Sequence, residues 1–83
     1  MYYVYVLKDK LSSNYYIGYT SDLKRRLKEH QEKRNQSTKF GGYDLVYYEA
    51  YLSKNYAMKR EKVLKHHGRV KKFLIDRIEE SLK

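Results

Sequence analysis

The 83-residue sequence has no cysteine, no proline, no tryptophan and only four glycines. Without cysteine, disulfides and thiolate metal sites are excluded. Without proline, glycine and polar clusters must break the chain into elements. No long apolar run is present either. The opening Tyr2-Tyr3-Val4-Tyr5-Val6-Leu7 is stopped by Lys8, Asp9 and Lys10, well short of a signal-peptide core or the roughly 20 residues of a membrane span. The expectation is a soluble, cytoplasmic protein. Acidic residues are scarce, with 10 Asp and Glu against 19 Lys and Arg, for a net charge of +9.

Hydrophobic residues make up 41% of the chain, and 11 of them are tyrosines, so the core must be thin. At this size about 60–70% of the unfolded surface is buried on folding, which suits one domain over residues 1–83 and excludes two. The positive charge is concentrated. Residues 24–39 carry seven basic and two acidic side chains, and residues 54–72 carry eight basic and one acidic. Such a field favours a polyanion, nucleic acid first, because each phosphate contact releases condensed counterions. Tyrosine adds the ability to stack on bases. The plainer alternative is a lysine-rich surface that keeps a small protein soluble.

Periodicity divides the chain. Residues 2–7 alternate tyrosine with valine and read as a strand, residues 8–14 as a turn, and Tyr15-Tyr16-Ile17-Gly18-Tyr19 as a second strand pairing antiparallel with the first. Thr20, Ser21 and Asp22 offer N-caps to a helix reaching about Arg34, with Leu23 and Leu27 on one face. After a polar loop over residues 35–42, Asp44 to Tyr51 form a third strand, with Leu45, Tyr47, Glu49 and Tyr51 on one side and Val46, Tyr48 and Ala50 on the other. Ser53 caps a second helix carrying Ala57, Met58, Val63 and Leu64, which ends near Gly68 as its C′ residue. A third helix carries Val70, Phe73, Leu74, Ile75 and Ile78. The order ββαβαα predicts a small α/β layer: a three-stranded mixed sheet with helices on at least one side.

One position breaks the pattern. Ala57, Glu61 and Leu64 fall at i, i+4 and i+7, which places a carboxylate on an apolar stripe between Lys59, Arg60 and Lys62. An unpaired buried charge is costly, so Glu61 needs a cationic partner or a metal. On the first helix Arg26 and His30, at i and i+4, border the Leu23/Leu27 face. Taken alone each has an ordinary reading, as a salt bridge, a surface arginine and a helix-end histidine.

Together with the tyrosines these residues resemble the GIY-YIG nuclease family. Tyr3-Val4-Tyr5 stands where that family has Gly-Ile-Tyr, and Tyr16-Ile17-Gly18 is a literal Tyr-Ile-Gly. Tyr5 and Tyr16 are 11 residues apart, Arg26 comes eight residues after Gly18 and His30 four after that, with Glu61 on the later helix. The stretch from Tyr47-Tyr48-Glu49-Ala50-Tyr51 through Arg60-Glu61-Lys62 looks like the short stand-alone bacterial branch, related to the N-terminal catalytic domain of the excision-repair incision subunit. The chain departs from the pattern at Tyr3, which replaces a glycine, and in having no asparagine after Asn55. His66 and His67, adjacent on a helix, cannot chelate one metal from one face and read as cations at a helix C-terminus.

The resemblance implies the GIY-YIG fold and a divalent-metal endonuclease that hydrolyses DNA phosphodiester bonds with little sequence specificity. Tyr5 is then the base, Tyr16 a phosphate or water positioner with some base character, Arg26 the clamp on the transition state, His30 the tuner of Tyr5, and Glu61 the ligand of one Mg²⁺ or Mn²⁺. The chemistry is coherent: hydrolysis needs a base, positive charge on the phosphorane-like transition state and help for the departing oxygen. Tyrosine's ordinary pKa near 10 makes it a poor base unless cations favour the phenolate. A lone carboxylate suits Mg²⁺, which keeps several waters. Nucleic-acid contacts are expected from Lys24, Arg25, Lys28, Lys39, Lys59, Arg60, Lys62 and Lys65. The expected partner is DNA, branched or flapped forms included and RNA left open, with a targeting protein to supply selectivity, no membrane, and a monomer or weak homodimer. The alternative is a catalytically inactive basic module that binds DNA or RNA and keeps the fold.

Overall fold

A computed structural model describes residues 1–36 and 42–83, the side chains of residues 31 and 33–36 aside. The elements are β1 (Tyr2–Asp9), β2 (Tyr15–Thr20), α1 (Leu23–Gln36), β3 (Tyr43–Tyr51), α2 (Lys54–His66) and α3 (Gly68–Ser81). The order matches the ββαβαα expectation, but the sheet is not mixed. It runs β2-β1-β3, with β1 antiparallel to both neighbours. The physical reason lies in the connection to β3: it re-enters beside β1 in the opposite direction, so no parallel pair forms.

Local chemistry fixes the turns. Asp9 accepts from the Leu11 N–H at 2.9 Å and from the Ser12 hydroxyl at 3.0 Å, while Ser12 accepts from the Asn14 N–H at 3.2 Å, which closes the hairpin. Gly42 has φ 90°, a left-handed conformation open to glycine, and its carbonyl accepts from the Lys10 N–H at 2.9 Å. Asp22 caps α1 by accepting the Arg25 N–H at 3.1 Å, and Ser53 caps α2 by accepting the Tyr56 N–H at 3.1 Å. Gly68 is not the left-handed end of α2. It opens α3, and the joint between the helices is His67 in extended conformation, φ −114° and ψ 94°.

Being central, β1 is covered on both sides, and Val4, Tyr5, Val6 and Leu7 are all buried. Val4 and Val6 join Ile17 under Ala57 and Leu64 of α2 and Leu74 and Ile78 of α3, which is the main core. The opposite face presents Tyr3 and Tyr5 to α1. A β-bulge corrects the expected faces of β3. Tyr47 pairs with Val6 and Leu45 with Leu7, so the extra residue Val46 joins Tyr47 against the core and Leu45 falls on the other side. Two residues assigned to helix stripes lie in solvent, Met58 and Phe73, the latter 69% exposed. The α3 seam is carried by Val70, Leu74, Ile75 and Ile78.

A polar cluster ties β3 to α2. Glu49 accepts both guanidinium bonds of Arg60 at 3.0 Å and the hydroxyls of Tyr47 and Tyr51. Burial alone would raise the Glu49 pKa, but these donors outweigh it and hold the carboxyl below its ordinary value. The same burial and the same carboxylate push Tyr47 and Tyr51 up to about 12.

Candidate active site

Tyr5 pairs across the sheet with Gly18 on one side and Tyr48 on the other. Its ring lies over the glycine: a Cβ at position 18 would stand 2.3 Å from the Tyr5 hydroxyl oxygen and 2.4 Å from Cζ. Only a residue without a side chain leaves room for that ring, and a glycine inside a strand signals such a close approach. The role of Gly18 in shaping the site is therefore steric. In the sequence Gly18 stands only as the last residue of the Tyr-Ile-Gly motif, and the close approach of Tyr5 has no local signal.

The hydroxyl of Tyr5 ends between two side chains of α1. Arg26 Nε donates to it at 3.2 Å, and His30 Nε2 stands 3.2 Å from it. The i, i+4 spacing puts both residues on the helix face turned to the sheet. Tyr16, two residues before Gly18 on β2, packs its ring on His30 with centroids 5.4 Å apart and on Tyr5 at 6.5 Å. Arg26 is held in turn by Glu29 at 3.2 Å, which also pairs with Arg25 at 3.3 Å.

Burial raises the Tyr5 pKa above its usual value; the Arg26 hydrogen bond and charge oppose this, while Tyr16 and Glu61 reinforce it. The Arg26 guanidinium is correspondingly held charged, first by its bond to Tyr5. The two tyrosines differ in access. Tyr5 is 0% exposed, whereas Tyr16 is 41% exposed. Water reaches the second phenol and not the first.

Glu61 comes from α2, on the Ala57/Leu64 stripe, with its side chain 23% exposed and an ion pair to Lys65 at 3.5 Å. Its charge is felt at Tyr5. Among the described residues no group of three or more His, Cys, Asp or Glu side chains could hold a metal. Glu61 is thus not part of a larger ligand cluster, and a lone carboxylate is compatible with a hard cation that keeps most of its own water.

The expected nucleic-acid contacts separate into three groups. Lys24, Arg25 and Lys28 are exposed on α1, and Lys24 lines a cleft with Tyr3 and Tyr48. Lys59 and Lys62 line an open cleft of about 340 Å³ with Glu61, Asn55 and Met58. Arg60 and Lys65 are already paired, with Glu49 and Glu61 respectively, and Arg60 in particular is committed to holding β3 on α2. Lys39 lies outside the described residues.

The chain is similar to known proteins over most of its length. Residues 1–73 match the family model described as the GIY-YIG catalytic domain. The UPF0213 protein BH0048 of Halalkalibacterium halodurans is 39% identical over 75 residues, which span 86% of this chain and 77% of that protein. A UPF0213 protein of Streptococcus pneumoniae serotype 4 is 36% identical over 72 residues, 84% of this chain and 72% of its own. The solution NMR structure of UPF0213 protein BH0048 from Bacillus halodurans superposes with a TM-score of 0.59 at 36% identity, covering 94% of this chain and 85% of that one. By sequence over most of its length, and by fold, the chain belongs to the GIY-YIG catalytic domain family.

Proposed function

We propose that this domain is a divalent-metal-dependent endonuclease that hydrolyses DNA phosphodiester bonds with little intrinsic sequence specificity, of the short stand-alone branch related to the excision-repair incision subunit. The observation that carries the reading is the convergence of Tyr5, Tyr16, Arg26 and His30, from two strands and one helix, with the Glu61 charge reaching the same phenol.

Access assigns the roles. Tyr16, the exposed phenol, is the one that meets the attacking water or the phosphate. Tyr5 is instead the hub that fixes Arg26 and His30, a revision of its role as the base that touches water. Arg26 can only donate to the Tyr5 oxygen, so the Tyr5 proton is free to point at His30 Nε2 as acceptor. In that arrangement His30 can take the proton whenever Tyr5 ionises. Arg26, held in one orientation by Tyr5 and Glu29, presents its charge to the transition state. Glu61 would hold the Mg²⁺ or Mn²⁺, whose Lewis acidity supplies stabilisation of the departing oxygen. Neutralising Glu61 removes one of the influences that keep Tyr5 protonated.

The Glu61–Lys65 ion pair favours a second reading, in which Glu61 is structural and the domain is an inactive basic module for DNA or RNA. Glu61→Gln separates them. In the nuclease reading, cleavage of plain, flapped or branched DNA collapses by several orders of magnitude, while metal-free affinity holds or rises and still falls steeply with salt. In the structural reading, melting temperature falls and any activity declines only in step with folding. A folded Glu61→Gln protein that cuts at the parental rate ends the proposal.

A further inference from the structure

The sheet face that carries Tyr5 continues beyond it. Tyr3, two residues earlier on β1, lies on the same face, and Tyr48 of β3 stands directly opposite Tyr5. The rings of Tyr3 and Tyr48 meet edge to face, centroids 6.2 Å and planes 61° apart. Even so, Tyr48 is 55% exposed. With Leu23, Leu27, Lys24 and Asp22 at the start of α1, the two rings line an open cleft of about 410 Å³, within the size range of small-ligand sites.

Charge selects the occupant. Asp22, one oxygen of which accepts the Arg25 N–H, and Lys24 line the cleft with one charge of each sign, so the interior has no net positive charge to hold a phosphate, while its rings and leucines suit a flat, neutral aromatic ring. Lys24, exposed at the same cleft, offers a cation to a phosphate on the adjoining backbone. Resting on the nuclease reading above, we infer that this cleft is a subsite for one unpaired nucleobase of the strand being cut, stacked on Tyr48 and backed by Tyr3 and the two leucines. In a duplex the bases are paired inward and cannot enter. The substrate class is thereby DNA with an unpaired nucleotide beside the scissile phosphate. Stacking is tolerant of base identity, in keeping with weak sequence preference.

The test is equilibrium binding in chelator, with no turnover, of single-stranded and duplex oligonucleotides of one sequence carrying 2-aminopurine, followed by its fluorescence. The wild type should prefer the single strand and change the probe's fluorescence. Tyr48→Leu keeps apolar bulk but removes the ring; it should lower single-strand affinity about 5- to 100-fold, the effect of losing one base–aromatic stack, with duplex affinity altered less than twofold. Tyr48→Trp should retain the preference. As an independent variant, Lys24→Gln should reduce the salt slope for the single strand by about 0.7. Circular dichroism confirms that each variant is folded. A wild type that prefers duplex, or a folded Tyr48→Leu protein whose affinities fall together or not at all, overturns the subsite. Absence of metal-dependent cleavage alongside an intact Tyr48 dependence would remove the nuclease reading and leave the subsite standing; cleavage without Tyr48 dependence does the reverse.

Discussion

Gly18→Ala inserts one methyl group where the Tyr5 ring already lies, 2.3 Å from the hydroxyl oxygen and 2.4 Å from Cζ. Neither partner can yield cheaply. Position 18 is on a strand paired with β1, and Tyr5 is fully buried with its hydroxyl engaged by Arg26 and His30. Overpacking in a core costs about 1–3 kcal/mol, and weakening the Tyr5 hydrogen bonds adds roughly another 1 kcal/mol. The expected loss is therefore about 2–4 kcal/mol, which for a domain of this size lowers the melting temperature by roughly 10–25 °C. Thermal denaturation followed by circular dichroism measures it. Because Gly18 is not at positive φ, alanine itself is tolerated by the backbone. In a Tyr5→Leu background, where the ring is gone, Gly18→Ala should therefore cost less than about 0.5 kcal/mol, and the double-mutant cycle should show strong coupling. An equal cost in both backgrounds would refute the steric account of the motif glycine.

Two further perturbations probe the ionisable groups. Glu49 is held below its ordinary pKa despite burial, so its contribution is present above the unfolded value of about 4.3 and lost as pH falls through the folded value. Glu49→Gln should cost about 2–3 kcal/mol at pH 7 and flatten the stability loss of the wild type below about pH 4; melting curves at several acidic pH values check this, and parallel wild-type and variant profiles would contradict it. Tyr47 and Tyr51, pushed up to about 12, lend stability that is complete below about pH 10 and lost as pH rises through about 12. A spectrophotometric titration of the folded protein should show phenols ionising well after the ordinary tyrosines, and Tyr47→Phe with Tyr51→Phe should reduce the amplitude of the step near pH 12 by two phenols. A single transition near pH 10 with the fold intact would be incompatible with the cluster.

Periodicity determined the ββαβαα order and most of the α3 stripe, Val70, Leu74, Ile75 and Ile78, and short polar residues marked the helix starts, Ser53 by itself and Asp22 as one of three candidates with Thr20 and Ser21. These are local: they depend on spacings of two and of three to four residues and on short side chains that bond their own backbone. The clustering of Tyr5, Tyr16, Arg26 and His30 follows from strand pairing and helix rise, which turn fixed separations into fixed positions, whereas Glu61 comes from a separate helix whose placement no local spacing sets. Tertiary structure decided the rest. The antiparallel placement of β3, the bulge that turns Val46 inward and the exposure of Phe73 depend on which faces meet, and no single segment encodes that. Arg60 had the composition of a phosphate contact until β3 brought Glu49 beside it. Above all, two tyrosines of the same chemistry differ in surroundings because Tyr5 lies in the central strand beneath Arg26 and His30, while Tyr16 lies in the edge strand and is 41% exposed. Solvent access is a property of the packed molecule, and no spacing in the sequence distinguishes the two phenols by it.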